Sequence, residues 1–218
     1  MSNYKKQIKV IGFDLDQTLY EKSLEIDEAI QKYIYKKIAN HKKCSLEKAK
    51  KLFKDLYKEG GGLSGRRTLL ALGIPDAAEI IQEALERANI AKFLVPSKET
   101  INLLYRLKKN FKLDIITGSS KSTTLSKLKK LGIPIEIFSH MITKDHSTKS
   151  DGVGYKLWFS FYPEFRAQDF LYIGDRPSDY LVPKEFGIEA ILVNIKNKDS
   201  EFKCLQLASL LEIKKYLL

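Results

Sequence analysis

Cysteine is nearly absent: Cys44 and Cys204 are the only two in 218 residues. Two thiols far apart and outside any metal-ligand spacing exclude the disulfide framework of a small secreted domain and a cysteine-based zinc site, so both are expected to be reduced. Long apolar runs are missing too. The longest, IEIFSHMI and AILV, fall far short of the roughly 20 residues that a membrane-spanning helix needs. The N-terminus MSNYKKQIKVIGF passes from polar residues straight into a strand-like run, with no long apolar stretch and no small-residue cleavage site. A soluble, cytoplasmic protein with no membrane partner is expected. Repeats and low-complexity tracts are also lacking, which excludes solenoid and linker-like architectures.

What is present is enough for a sizeable core. With 218 residues and 44% hydrophobic content, the chain can form one large domain, or a core domain with a smaller appended one. Lys and Arg outnumber Asp and Glu by 38 to 27, a positive balance that would steer phosphorylated ligands toward the surface. The lysines are spread through helical stretches (KKIANHKK, KAKKLFK, RLKKN, KLKK) without interleaved aromatics. That is the pattern of solvated helix faces, and it argues against a dedicated nucleic-acid binder.

Periodicity predicts short apolar strands alternating with helices, the signature of a layered α/β domain with a Rossmann-like parallel sheet. Five strand candidates stand out: IKVIGFD (8–14), LDIITG (113–118), IEIFSHM (135–141), DFLYIGD (169–175) and EAILVN (189–194). Leu125, Leu128 and Leu131 mark one face of a crossover helix that Gly132 ends, and Ser97 caps a preceding helix with Ile101, Leu104 and Leu107 inward. Residues 21–93 differ, being helical with no convincing strand. Ile26, Ile30, Ile34 and Ile38 recur every fourth residue, and Ser45 precedes an apolar face of Leu46, Ala49, Leu52, Phe53 and Leu56. The expected organisation is an α/β core from residues 1–20 and 94–218, with a helical subdomain inserted over 21–93. The GGGLSG stretch at 60–65, followed by Arg66 and Arg67, is the strongest punctuation in that insert. It suits either a ligand-approaching loop or a plain helix connection.

Ligands of open α/β sheets gather beyond the carboxyl ends of the strands. There the chain carries Asp14-Leu15-Asp16-Gln17-Thr18, Thr117-Gly118-Ser119-Ser120 and Gly174-Asp175-Arg176-Pro177-Ser178-Asp179. Asp14 follows Phe13 inside an apolar run, where a carboxylate is costly unless paired, metal-bound or used. Acids gathered in one crevice repel one another and call for a cation. With all-oxygen donors and no His or Cys nearby, Mg²⁺ is the natural choice. Thr18 either bonds within the turn after the first strand or merely ends it. Tyr20, Tyr57 and Trp158 are of the type that stacks on a base or sugar, although aromatics at such positions are more often core.

These motifs resemble those of the haloacid dehalogenase (HAD) superfamily of Mg²⁺-dependent phosphatases. FDLDQT is similar to its first motif, ITGSS to its second and IGDRPSD to its fourth, and the inserted helices look like its helical cap, so the resemblance spans essentially the whole chain. For the third motif, a lysine ahead of the fourth strand, GYKLWF offers Lys156, with Lys144 or Lys149 as alternatives. The opening FDLDQTLY and the Gly-rich cap stretch are similar to the pyrimidine 5′-nucleotidase-like subgroup. The resemblance implies phosphoryl transfer from a small phosphorylated metabolite through an aspartyl-phosphate. Asp14 would be the nucleophile, and Asp16 the acid and then the base, with a pKa above the ordinary carboxylate value. Thr117, the Gly118 N–H and Lys156 would bind the phosphoryl group. Asp14, Asp175 and the main-chain carbonyl of Asp16 would hold Mg²⁺, with Asp179 in support. A dehalogenase needs no acid two residues after its nucleophile, because halide departs without a proton; Asp16 therefore favours a phosphatase. A phosphomutase or haloacid dehalogenase on the same scaffold, or a non-catalytic basic protein that binds nucleic acid or phosphorylated partners, is the alternative, and a monomer or homodimer is expected.

Overall fold

In the computed structural model, which describes residues 8–21, 23–59, 65–87, 90–146, 152–195 and 198–218, the two most apolar strands lie side by side. Strand β1 (Val10–Phe13) and strand β4 (Phe170–Gly174) are buried at every position, as expected of parallel strands covered on both faces. Around them run β2 (Lys112–Ile116), β3 (His140–Ile142), β5 (Glu189–Leu192) and β6 (Leu205–Gln206), in the order β3-β2-β1-β4-β5-β6. Every pairing is parallel. The α/β, Rossmann-like sheet anticipated from periodicity is therefore present. From β1 the chain moves outward to β2 and β3, then returns to β4 and moves outward on the other side. Between β1 and β4 the direction of winding reverses, which is where such sheets open a crevice at their carboxyl edge.

Two strand expectations need correction. Residues 135–141 do not form one strand, because Ile135–Ile137 is a turn of 3-10 helix and the strand begins at His140. Pro134 explains this: it has no N–H to give a ladder, and its carbonyl instead accepts from the Ile137 N–H at 3.2 Å. Strand β6 escaped notice because it is only two residues long, pairing Leu205 with Ile191 and Gln206 with Leu192.

The chain divides into two compact units, Met1–Lys22 with Leu94–Leu218, and Ser23–Phe93. The second is helical, with α1 (Leu24–Lys42), α2 (Leu46–Glu59), α3 (Gly65–Ala71) and α4 (Ala77–Arg87). Ser23 caps α1 by accepting from the Ile26 N–H at 3.2 Å, and Ser45 accepts from the Lys48 N–H at the head of α2. The apolar stripes of these helices meet in a core containing Ile34, Ile38, Ala49, Phe53, Leu69 and Ile80. Leu46, expected on that face, is exposed at the first position of α2.

In the first unit, α5 (Lys98–Lys108) is capped by Ser97, and α6 (Lys121–Lys130) by Ser120. The inward face of α6 keeps two of the three expected leucines, Leu128 and Leu131, but not Leu125. Leu125 is exposed, while Thr124, Lys127, Leu128 and Leu131 are buried. Helix α7 (Val153–Ser160) inserts Trp158 against β1 so closely that a Cβ on Gly12 would lie 2.7 Å from its ring. That explains a glycine in an otherwise bulky strand.

The Trp158 indole also satisfies a fully buried carboxylate in β2. Its Nε1–H donates to Asp114 at 2.7 Å, and the Tyr162 hydroxyl and the His140 N–H donate to the same group at 3.1 and 2.8 Å. Burial pushes Asp114 above the ordinary carboxylate range, against the pull of these donors. Trp158→Phe keeps most of the packing but removes a donor that favours the ionised form. It is expected to cost about 2 kcal/mol of unfolding free energy near neutral pH. The loss should shrink below about pH 4, where Asp114 is protonated even in the unfolded chain. Urea denaturation at the two pH values checks this, and an equal loss at both would refute it.

Candidate active site

The register of the sheet delivers the acidic motifs to one edge. Phe13 lies beside Ile115 on one side and Ile173 on the other, so the residues that follow leave β1, β2 and β4 together. Their backbones are still anchored to the ladder: the Asp14 N–H donates to Ile173 O at 2.8 Å, the Thr117 N–H to Ile142 O at 2.9 Å, and the Val193 N–H to Gly174 O at 2.8 Å. Side-chain position at this edge is therefore set by the sheet rather than by loop conformation.

Asp14, Asp175 and Asp179 come together there. Each offers a carboxylate oxygen, and these oxygens all lie within 4.8 Å of one another. Asp14 and Asp179 are buried, 6% and 0% exposed. Three carboxylates this close, two of them withdrawn from water, strongly favour a cation. An all-oxygen donor set suits a hard divalent ion such as Mg²⁺ better than zinc or copper. The residues thus fit the metal that the motifs imply. Asp179, in the first turn of α8 (Ser178–Glu185), also shapes the turn beside it, its Oδ2 accepting from the N–H groups of Asp175 and Arg176 at 3.1 and 3.0 Å. The Arg176 Nε stands 3.9 Å from Asp175 Oδ1.

Asp16 behaves differently from the expectation drawn from the motif. Its carboxylate is buried and held by three donors: the Lys127 Nζ at 2.6 Å and the Tyr20 hydroxyl at 2.5 Å, both to Oδ1, and the Ser119 hydroxyl at 2.9 Å to Oδ2. Burial alone would raise its pKa, but the Lys127 charge and the three hydrogen bonds outweigh burial and hold it below the ordinary value of 3.8. The anticipated upward shift is thereby corrected. Folded Asp16 releases its proton more readily than the unfolded chain does, so it contributes stability above that ordinary value, and the contribution is lost as pH falls through the folded one. Wild-type stability should decline from about pH 5 downward, and the Asp16→Asn/Lys127→Met double variant should lose this share of the slope. Urea titrations from pH 7 to 3 measure it, and an unchanged slope in the double variant would count against the ion pair.

The remaining predicted residues are distributed as follows. Thr117 is buried at the end of β2, its Oγ1 accepting from the Ser119 N–H at 3.2 Å. Gly118 faces open space, with nothing within 4 Å of where a Cβ would lie. Thr18 is buried and directs its hydroxyl at Asp14 Oδ2, 3.5 Å away. Lys156 sits exposed within α7, and among the described residues no hydrogen bond or ion pair links it to Asp14. Lys144 is half-buried two residues after β3, its N–H donating to Ser119 O at 3.0 Å. Lys149 and residues 60–64 of the GGGLSG stretch lie outside the described residues, while Gly65 opens α3 with the exposed Arg66 and Arg67. Of the three aromatics, Trp158 is core, Tyr57 stacks on Phe53 in the helical unit, and Tyr20 is tied to Asp16.

A family model described as haloacid dehalogenase-like hydrolase matches residues 11–193, from β1 to just beyond β5. The chain belongs to that family. Solved HAD-like structures resemble it over nearly their whole length. YfnB from Bacillus subtilis, solved bound to magnesium, is 20% identical with a TM-score of 0.64, covering 97% of this chain and 99% of its own. A HAD phosphatase from Thermococcus onnurineus is 23% identical, TM-score 0.63, over 95% and 97%. The 2-haloacid dehalogenase from Pseudomonas syringae pv. Tomato DC3000 is 21% identical, TM-score 0.57, over 96% and 97%. At such identities the likeness concerns the fold, and the choice between phosphate ester and halide falls to the residues of the site. Within this HAD hydrolase the residue not anticipated near Asp16 is Lys127. In the sequence Lys127 belongs to KLKK, which suits a solvated face. Its signal was positional, since Thr124, Lys127, Leu128 and Leu131 follow the three-and-four spacing of one helix face.

Proposed function

We propose that this HAD hydrolase is a Mg²⁺-dependent phosphatase acting on small phosphate monoesters through an aspartyl-phosphate. The observation that carries the reading is the meeting of Asp14, Asp175 and Asp179 at the carboxyl edge of the sheet, with a second carboxylate, Asp16, two residues beyond the first. Asp14 is the nucleophile: an Oδ attacks phosphorus, the ester oxygen departs, and water later cleaves the acyl phosphate. Bound Mg²⁺, held by Asp14, Asp175 and the Asp16 carbonyl with Asp179 in support, would neutralise charge where an anionic carboxylate meets an anionic ester.

Thr117 and the backbone N–H of Gly118 would receive the phosphoryl oxygens. Lys156, which faces solvent along α7, would supply a cation beside them, with Lys144 or Lys149 as the alternative. Asp16 protonates the leaving oxygen and then takes a proton from the attacking water. Because Lys127 keeps it ionised at rest, that first proton arrives with the substrate, whose negative charge beside Asp16 favours the neutral acid. A halide needs no such proton, and Asp16 is what sets this site apart from a dehalogenase. The similarity of FDLDQTLY to the pyrimidine 5′-nucleotidase-like subgroup makes nucleoside monophosphates the first substrates to try, with sugar phosphates next.

A panel of phosphate monoesters assayed with Mg²⁺ tests the reading. Turnover of at least one ester is expected, at least about 100-fold reduced by a chelator and restored by added Mg²⁺. Inactivity on every ester, combined with halide release from 2-haloacids, would replace it with the dehalogenase reading.

A further inference from the structure

We propose that Lys127 is a positioning residue that aims the carboxyl group of Asp16, an assignment that rests on the phosphatase reading. Lysine ammonium groups are rarely withdrawn from water, because desolvating an unpaired charge is costly. Lys127 nonetheless is 1% exposed at the seventh position of α6. Its Nζ lies 2.6 Å from Asp16 Oδ1 and 3.0 Å from the Ser119 hydroxyl, and that hydroxyl in turn donates to Asp16 Oδ2.

The donors come from three separate pieces of chain: Tyr20 from the turn after β1, Ser119 from the loop after β2, and Lys127 from a helix. A carboxylate clamped through both oxygens by three segments has no rotational freedom of its own. Its direction relative to Asp14 is dictated by where α6 docks on the sheet. A lysine there also works where glutamine would not, because the stem must span the core and still present a charge to a buried acid. The contacts of Lys127 Nζ are with Asp16 and the Ser119 hydroxyl, so its effect on chemistry would run through Asp16.

That indirect role separates from a merely structural one. Protonation of the leaving oxygen matters greatly for an alkyl ester and little for 4-nitrophenyl phosphate, whose leaving group departs as a stable anion. The quantity kcat/KM reports the attack on phosphorus and the departure of the leaving group. In Lys127→Met, kcat/KM for an alkyl phosphate such as a nucleoside 5′-monophosphate is expected to fall about 100-fold or more, the scale of general-acid catalysis. The value for 4-nitrophenyl phosphate should change less than about threefold.

Lys127→Met strands Asp16 without its cation, so a second comparison covers a failure to fold. Asp16→Asn and Asp16→Asn/Lys127→Met both lack the buried ion pair. If Lys127 acts only through Asp16, their kcat/KM values for 4-nitrophenyl phosphate agree within about threefold, because coupled residues are not additive. An equal loss on both esters in Lys127→Met, or a further tenfold loss in the double variant, would overturn the assignment. Wild-type inactivity on both esters would overturn the phosphatase reading itself, and the assignment with it.

Discussion

Asp14→Asn should lower kcat on every phosphate monoester by about 10⁴-fold or more, the scale seen when a covalent nucleophile is removed, while leaving the fold intact. The site explains both halves of that result. An amide cannot attack phosphorus or hold a divalent ion as a carboxylate does. The backbone at this position stays tied to Ile173 O, and Thr18 still has an oxygen to meet. Removing one of three clustered carboxylates also relieves repulsion, so the variant without metal should melt no lower than wild type without metal. Mg²⁺ is expected to raise the wild-type Tm by binding the folded state, and that rise should shrink in the variant. Acid-quenched wild type taken during turnover should carry one phosphoryl group by mass, and the variant none. Turnover by Asp14→Asn near the wild-type rate would eliminate the covalent route.

Gly174→Ala is expected to have the next largest effect, although glycine carries no chemistry. A Cβ at this last residue of β4 would lie 2.3 Å from Asp179 Oδ2 and 2.4 Å from its Cβ and Cγ. Asp179 is fully buried and has nowhere to retreat without releasing the N–H groups of Asp175 and Arg176. The methyl group should cost about 1–3 kcal/mol through overpacking. It should also raise the Mg²⁺ concentration for half-maximal activity about tenfold or more, within the range found when groups supporting a metal site are disturbed. Mg²⁺ titrations of activity and of Tm check the two effects. A variant with wild-type metal dependence would show that Asp179 does not govern the placement of Asp175.

Much of this architecture was legible in the chain itself, for a physical reason. Strands β1 and β4 are short, apolar and directly followed by acids, a combination that is costly unless the acids are paired, metal-bound or used. The meeting of Asp14 and Asp175 at one edge of the sheet follows from that. What escaped reading depends on contacts between segments remote in the chain. Lys127 and Asp16 form their ion pair across 111 positions, so nothing local to either residue announces it, and a lysine in KLKK looks solvated until the helix is docked. The same blindness produced the wrong direction for the Asp16 pKa. Leu125 failed by a single helical step: its neighbour Thr124 is the residue that turns inward. Strand β3 was misplaced because Pro134 spends the preceding residues on a turn, a choice that local hydrophobicity does not reveal.

The central place of β1 has a consequence for how the protein is made. Its ladder partners reside in β2 and in β4, with Phe13 matched to Ile115 and Ile173. A nascent chain emerging from the ribosome therefore leaves one flank of β1 unpaired until β4 has been made. During that interval the strand is an open edge of the kind that invites aggregation, and closing it is a long-range, slow event. The carboxyl edge that gathers Asp14, Asp175 and Asp179 is in this sense assembled only once distant parts of the chain have met.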